Sequence, residues 1–109
     1  MNSELAMPNE FDRKRVERAL RNRARYKYVS PRVRAASDGL RIESPCCSRR
    51  VDPNGGMVDI ALLQCFREGG WKLYRKDHSA GDWKLYGEYE RLSELLGPLT
   101  TDPKRLFWQ

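Results

Sequence analysis

The tightest constraint on this 109-residue chain is the spacing of the turns in its second half. Asp52-Pro53-Asn54-Gly55-Gly56, Arg67-Glu68-Gly69-Gly70 and Ser79-Ala80-Gly81 are turn sequences: proline presets one backbone angle, and Asn-Gly or a terminal glycine accepts positive φ. Between them lie three alternating segments rich in Trp, Tyr, Leu and Ile, at Met57 to Phe66, Trp71 to His78 and Asp82 to Glu88. A parallel crossover consumes a dozen or more residues, whereas a hairpin needs two to five. The three segments are therefore expected to form an antiparallel meander. Leu40 to Ser44 also alternates and supplies a fourth strand, joined to the rest by a long loop from Pro45 to Gly56.

A repeated word bears on the register: Trp71-Lys72-Leu73-Tyr74 and Trp83-Lys84-Leu85-Tyr86. A three-residue loop, Ser79-Ala80-Gly81, places Trp71, Leu73, Trp83 and Leu85 on one face, with Gly81 at the left-handed position. A two- or four-residue loop would instead put Trp83 and Leu85 beside Lys72 and Tyr74, wetting both tryptophan positions. With Arg67 to Gly70 as a four-residue loop, Phe66 pairs with Trp71. The expected core face is then Val58, Ile60, Leu62, Phe66, Trp71, Leu73, Trp83 and Leu85. The second face carries Lys72, Tyr74, Lys76, Lys84 and Tyr86, next to Ala61, Leu63 and Cys65.

A helix is expected ahead of the sheet. Asn9 serves as N-cap, Glu10 and Asp12 occupy the first turn, and Ser30-Pro31 sets the limit, with helix to about Tyr28. At 100° per residue Val16, Ala19, Leu20 and Ala24 gather on a core-facing arc. A second helix spans Tyr89 to about Leu96 and is stopped by Gly97-Pro98. Asp102-Pro103 starts one more helical turn, and Leu106-Phe107-Trp108 is expected to dock on the body. The fold class is thus α+β: a four-stranded antiparallel meander flanked by an N-terminal and a C-terminal helix, in the order α-β-β-β-β-α. Residues 1–8 form a loose leader and residues 9–109 a single domain, the size of one domain.

The net charge of +6 is concentrated in one segment. From Arg13 to Arg34 there are ten basic residues against one acid, Glu17, a balance of +9. The remaining eleven basic and fourteen acidic residues leave −3. On the helix wheel Lys14, Arg18, Arg21 and Arg25 fall within about 60° of one another, opposite the core arc. A row of like charges costs stability, so its presence without interleaved acids points to a polyanionic partner.

Other chemistry finds little support. Cys46-Cys47 and Cys65 form no disulfide framework and fit a reducing compartment. Adjacent cysteines point to opposite sides of an extended chain, and Cys65 lies far from His78, so no zinc site is expected. Asp59 and His78 come opposite each other in the expected register, a pair suited to closing the end of the sheet. Gly55-Gly56 and Gly69-Gly70 are turn glycines without a phosphate-loop pattern. Residues 1–11 lack the basic segment and apolar run of a secretory signal, and the longest apolar stretch, at Ile60 to Leu63, is too short to span a bilayer. A cytoplasmic location is expected, with no metal, cofactor or catalytic residue assigned.

The aromatics at Trp71, Tyr74, Trp83 and Tyr86, together with Asp77, the leucine-rich helix and the closing Phe107-Trp108, resemble a bacterial family of uncharacterised domains, domain of unknown function 3024. The basic helix ahead of the sheet fits it too. The resemblance covers about Phe11 to Trp108 and implies one small α+β domain. The family has no assigned activity, so it transfers no functional residues.

The expected function is binding of DNA or RNA, without catalysis. Lys14, Arg18, Arg21 and Arg25 would hold phosphates. Lys72, Tyr74, Lys84 and Tyr86 would make secondary contacts, the tyrosines stacking on bases. One alternative is a protein-interaction or homodimerisation module, or a site for an acidic protein, using the second sheet face around Leu63, Cys65, Tyr74 and Tyr86. Another is a small metal-independent ribonuclease-like enzyme working with Arg, Lys and Tyr.

Overall fold

The computed structural model describes residues 4–23, 30–45 and 56–108. The elements run β1 (Leu5–Ala6), α1 (Glu10–Arg21), β2 (Arg32–Ala36), β3 (Gly39–Pro45), β4 (Met57–Phe66), β5 (Trp71–Asp77), β6 (Asp82–Tyr89) and α2 (Leu92–Thr101). The class is α+β with a helix toward each end, as expected, but the antiparallel sheet has six strands rather than four. Five lie in the order β2-β3-β4-β5-β6, and β1 pairs with the end of β4.

Helix α1 begins where the sequence says. The Asn9 side chain accepts from the Asp12 amide at 2.8 Å, and the Asp12 carboxylate accepts from the Asn9 amide at 3.1 Å. This reciprocal box satisfies two amides that a helix start leaves orphaned. Val16 and Leu20 are buried and fix the helix to the sheet. The helix ends at Arg21, well short of Tyr28; residues 24–29 lie outside those described.

Both hairpin registers differ from expectation by one residue, and each slip moves alternate side chains to the other face. In the first hairpin Phe66 donates its amide to Gly70, and Cys65 pairs with Trp71. Ala61, Leu63 and Cys65 therefore share the face of Trp71 and Leu73, while Leu62 and Phe66 turn to the other. Ile60 is buried nonetheless, because a bulge between Ile42 and Glu43 in the β3–β4 ladder skips it.

In the second hairpin Asp77 pairs with Asp82, leaving a four-residue loop from His78 to Gly81. Asp77 selects this loop. Its carboxylate accepts from the Ser79 and Ala80 amides at 3.1 Å each, and its carbonyl accepts from Gly81 at 2.8 Å. Gly81 has φ +73°, the left-handed position foreseen for it. Trp83 and Leu85 consequently fall beside Lys76 and Tyr74, away from the core. A bulge at Tyr86 then resets the ladder, so Leu73 pairs with Gly87 and Trp71 with Tyr89.

Strand β2 went unforeseen because its sequence, Arg-Val-Arg-Ala-Ala, offers only Val33 as a strong apolar signal. Its turn into β3 requires Gly39. At φ +137° an added Cβ would sit 2.3 Å from the Leu63 carbonyl oxygen. Helix α2 also departs from expectation, continuing through Gly97-Pro98 to Thr101. Burial of Leu95 before the proline and Leu99 after it outweighs the local interruption.

One core joins both helices to one face of the sheet. It contains Val16 and Leu20 from α1, Leu92, Leu95 and Leu99 from α2, and Val33, Leu40, Ile42, Ala61, Leu63 and Leu73 from the strands. Phe107 and Trp108 close it, each 1% exposed. The expected last helical turn is replaced by a turn built around Asp102. This buried residue takes φ +41° and its carboxylate accepts from the amides of Leu106 (2.8 Å), Phe107 (3.2 Å) and Trp108 (2.8 Å).

Substituting Asp102 by Ala removes this carboxylate from all three amides, two of them buried. The expected cost is about 3 kcal/mol, or a fall of roughly 12–18 °C in thermal midpoint by calorimetry. A fall of under 3 °C would show that the turn forms without the carboxylate.

Candidate nucleic-acid interface

The outer side of α1 is an open row of cations. Lys14, Arg15, Arg18 and Arg21 are all exposed. None joins any of the seven ion pairs found among the described residues, and neither Lys14 nor Arg21 reaches Glu17. The first-turn acids are occupied elsewhere: Glu10 holds Arg13, and Asp12 closes the cap. Arg25, the fourth member of the expected row, lies outside the described residues. So do Cys46 and Cys47.

Arg23 belongs to the core. It is 3% exposed, donates to the Leu20 carbonyl at 2.7 Å and lies 5.0 Å from the Trp108 ring centroid. Burial lowers its pKa from the ordinary guanidinium value. The basic segment thus divides into outward groups and a structural one.

The sheet residues do not assemble as expected. Lys72 and Tyr74 lie on the face away from the helices, joined there by Lys76, Trp83, Leu85, Leu62, Phe66 and Arg41. Lys84 does not: it pairs with Arg75, on the opposite side, and contacts Asp82 at 3.7 Å. Tyr86, displaced by the bulge, packs on the core with its ring 5.0 Å from Phe107. Neither can share a surface with Tyr74. Nor does the far face meet the α1 row, because the helices and core lie between them.

The cations of that far face are largely neutralised. Lys72 contacts Glu88 at 3.7 Å, Lys76 contacts Asp59 at 3.8 Å, Arg34 contacts Glu43 at 3.2 Å, and Arg41 contacts Asp38 at 2.8 Å. Their rings are partly capped as well. Lys76 and Arg41 sit 4.9 and 5.8 Å from the Trp83 centroid, and Lys72 sits 5.2 Å from that of Phe66. A base stacking on Trp83 would displace its own lysine and arginine.

Two partly buried titrating groups are shifted chiefly by burial. His78 makes no hydrogen bond to Asp59, which faces Lys76 instead. Burial, then the Lys76 charge, pushes the His78 pKa below its ordinary value. The Cys65 thiol donates to the Ala6 carbonyl at 3.2 Å, and burial with the Asp12 charge raises its pKa, away from an activated thiolate. Among the described residues no three His, Cys, Asp or Glu side chains gather into a metal site, and no helix is long and apolar enough to cross a membrane.

This arrangement defines the class: a small α+β domain whose antiparallel sheet is covered by helices on one face, with an unpaired basic helix on the outside. The chain belongs to the family described as "Domain of unknown function (DUF3024)", whose model matches residues 4–109. No curated protein and no solved structure matches it.

Asp38 supplies a test of the network on the far face. The Arg41 hydrogen bond holds its pKa below the usual carboxylate range. A depressed folded pKa contributes stability above the unfolded value near 3.9, and that stability is lost as pH falls through the folded value. Between pH 6 and pH 2.5 the thermal midpoint of the native protein should fall more than that of Asp38→Asn. Parallel curves would remove Asp38 from the account.

Proposed function

We propose that the protein binds nucleic acid through the outer side of α1, with Lys14, Arg15, Arg18 and Arg21 on phosphates. The observation that carries this reading is that all four cations are exposed and unpaired, while those of the far sheet face have acids beside them. A cation already held by a carboxylate must give up that partner to neutralise a phosphate and displace its condensed counterion; a free one need not. The reading needs no catalytic group. The sheet-face residues are left out of the phosphate site.

Four phosphate contacts imply a slope of log affinity on log salt of about −3.6 for duplex DNA. Fluorescence anisotropy across a salt series measures it directly. The double variant Arg18→Glu/Arg21→Glu should bind at least a hundredfold more weakly at low salt. Its thermal midpoint should stay nearly unchanged, since relief of like-charge repulsion along the helix is offset by acids placed near Glu17 in the last turn. Equal binding by the variant, or a wild-type slope near zero, would sink the reading.

A second reading concerns the far sheet face: self-association of two copies. Leu85 is 50% exposed there beside Trp83. The surrounding charges include both signs, which lets the patch complement itself about a two-fold axis. Light scattering should then give twice the chain mass, reduced to the monomer by Leu85→Asp. A monomeric native protein at high concentration would dismiss it.

A further inference from the structure

The outer side of α1 carries one residue that phosphate binding does not explain. Phe11 is 78% exposed, more than any other large apolar side chain among the described residues. Single exposed apolar residues are ordinary on a surface. The surroundings of this one are not. On the helix wheel it lies about 20° from Arg18, 40° from Arg15 and 60° from Lys14, at the head of the cation row. Arg18 follows it by about 10 Å along the axis.

The ring faces of Phe11 are also open. Trp108, Trp83 and Phe66 each have a cation of this chain against the ring. Phe11 has none among the described residues, although Lys14 and Arg15 stand one turn away. The helix therefore presents an unoccupied aromatic plane followed by unpaired cations on the same side.

Resting on the nucleic-acid reading above, we infer that the preferred ligand of this surface is single-stranded nucleic acid, with Phe11 stacking on an unpaired base while Lys14, Arg15 and Arg18 hold the adjoining phosphates. The physical reason is access. Inside a duplex every base face is already covered by its neighbours, so the ring meets one only at an end or a break. A single strand offers its base faces along its whole length, and stacking tolerates any base because each has a π-face. The charge complementarity between free cations and the phosphate chain brings the strand to the ring.

The test is binding of labelled single-stranded and duplex oligonucleotides of equal length, at one salt concentration, to the full chain. Phe11→Ala should weaken single-strand binding about tenfold and change duplex binding less than twofold. Phe11→Trp should restore it. Phe11→Leu, which keeps apolar bulk without a ring, should behave like Phe11→Ala. Equal losses on both ligands, or full binding by Phe11→Leu, would overturn stacking while the phosphate row stands if Arg18→Glu/Arg21→Glu still abolishes binding. Failure of the native protein to bind either oligonucleotide would overturn both. Anionic phospholipid vesicles form the control surface. If Phe11→Ala releases the protein from vesicles but not from the single strand, the ring serves a lipid surface and the inference is wrong.

Discussion

The Asp102 carboxylate holds the architecture together at the point where its parts meet. It fixes three successive backbone amides and thereby places Phe107 and Trp108 inside the core. From there the two rings reach separate elements. Phe107 packs on Tyr86 of β6, and Trp108 donates its indole N–H to the Leu99 carbonyl of α2 at 2.9 Å while stacking with Arg23 just beyond α1. A carboxylate, a bulge and a tail thus tie both helices to the last strand. Burying an aromatic ring of this size is worth several kcal/mol, but only where the backbone carrying it has its own polar groups satisfied.

The same fastening separates the chemistry of the two surfaces. With α1 and α2 held on one side of the sheet, the outer row of α1 and the far sheet face look in opposite directions. They carry cations in different states. On the sheet, Lys72, Lys76, Arg34 and Arg41 each sit near an acid, and such pairs at a surface contribute little to stability while lowering the free charge. On α1 the acid within the row, Glu17, forms no ion pair with the cations there. The like-charge neighbours Lys14–Arg18, Arg15–Arg18 and Arg18–Arg21 each cost about 0.2–0.5 kcal/mol, near 1 kcal/mol together. Val16 and Leu20, fully buried, contribute about 1.5–3 kcal/mol apiece, so the helix tolerates the repulsion without relieving it.

How much of this was legible in the sequence depended on whether the signal was local. The Asn9 cap, the left-handed Gly81 and the docking of Phe107-Trp108 are decided by a few adjacent residues, and each was foreseen. Helix faces were legible too, because a wheel needs only the residue numbers: Val16 and Leu20 point inward and Arg18 and Arg21 outward. Strand faces were not. Alternation assigns residues to two sets, but one residue in a loop exchanges the sets, and nothing apolar in Trp83 or Leu85 says that Asp77 will hold the Ser79 and Ala80 amides. A preference for burying tryptophan chose the wrong loop; a carboxylate at the end of β5 chose the right one. The bulges at Ile60 and Tyr86 compounded the difficulty, as each reverses the alternation within a single strand.

That reversal matters for function more than for stability. Reading Tyr74 and Tyr86 as one aromatic surface followed from strict alternation, and the bulge sends Tyr86 into the core. What survives of the candidate site is the part that rests on helical periodicity, where no bulge intervenes. Among the described residues, the charge asymmetry of the chain therefore has a structural counterpart on α1. Of the ten basic residues between Arg13 and Arg34, Arg13 is held by Glu10, Arg34 by Glu43, and Arg23 is buried against Trp108. The free cations that remain on α1 are Lys14, Arg15, Arg18 and Arg21. Under the proposed reading, a polyanion would feel the whole field at long range, but at contact it would meet screened pairs on the sheet and unpaired cations on the helix, and the difference in desolvation cost would favour the helix.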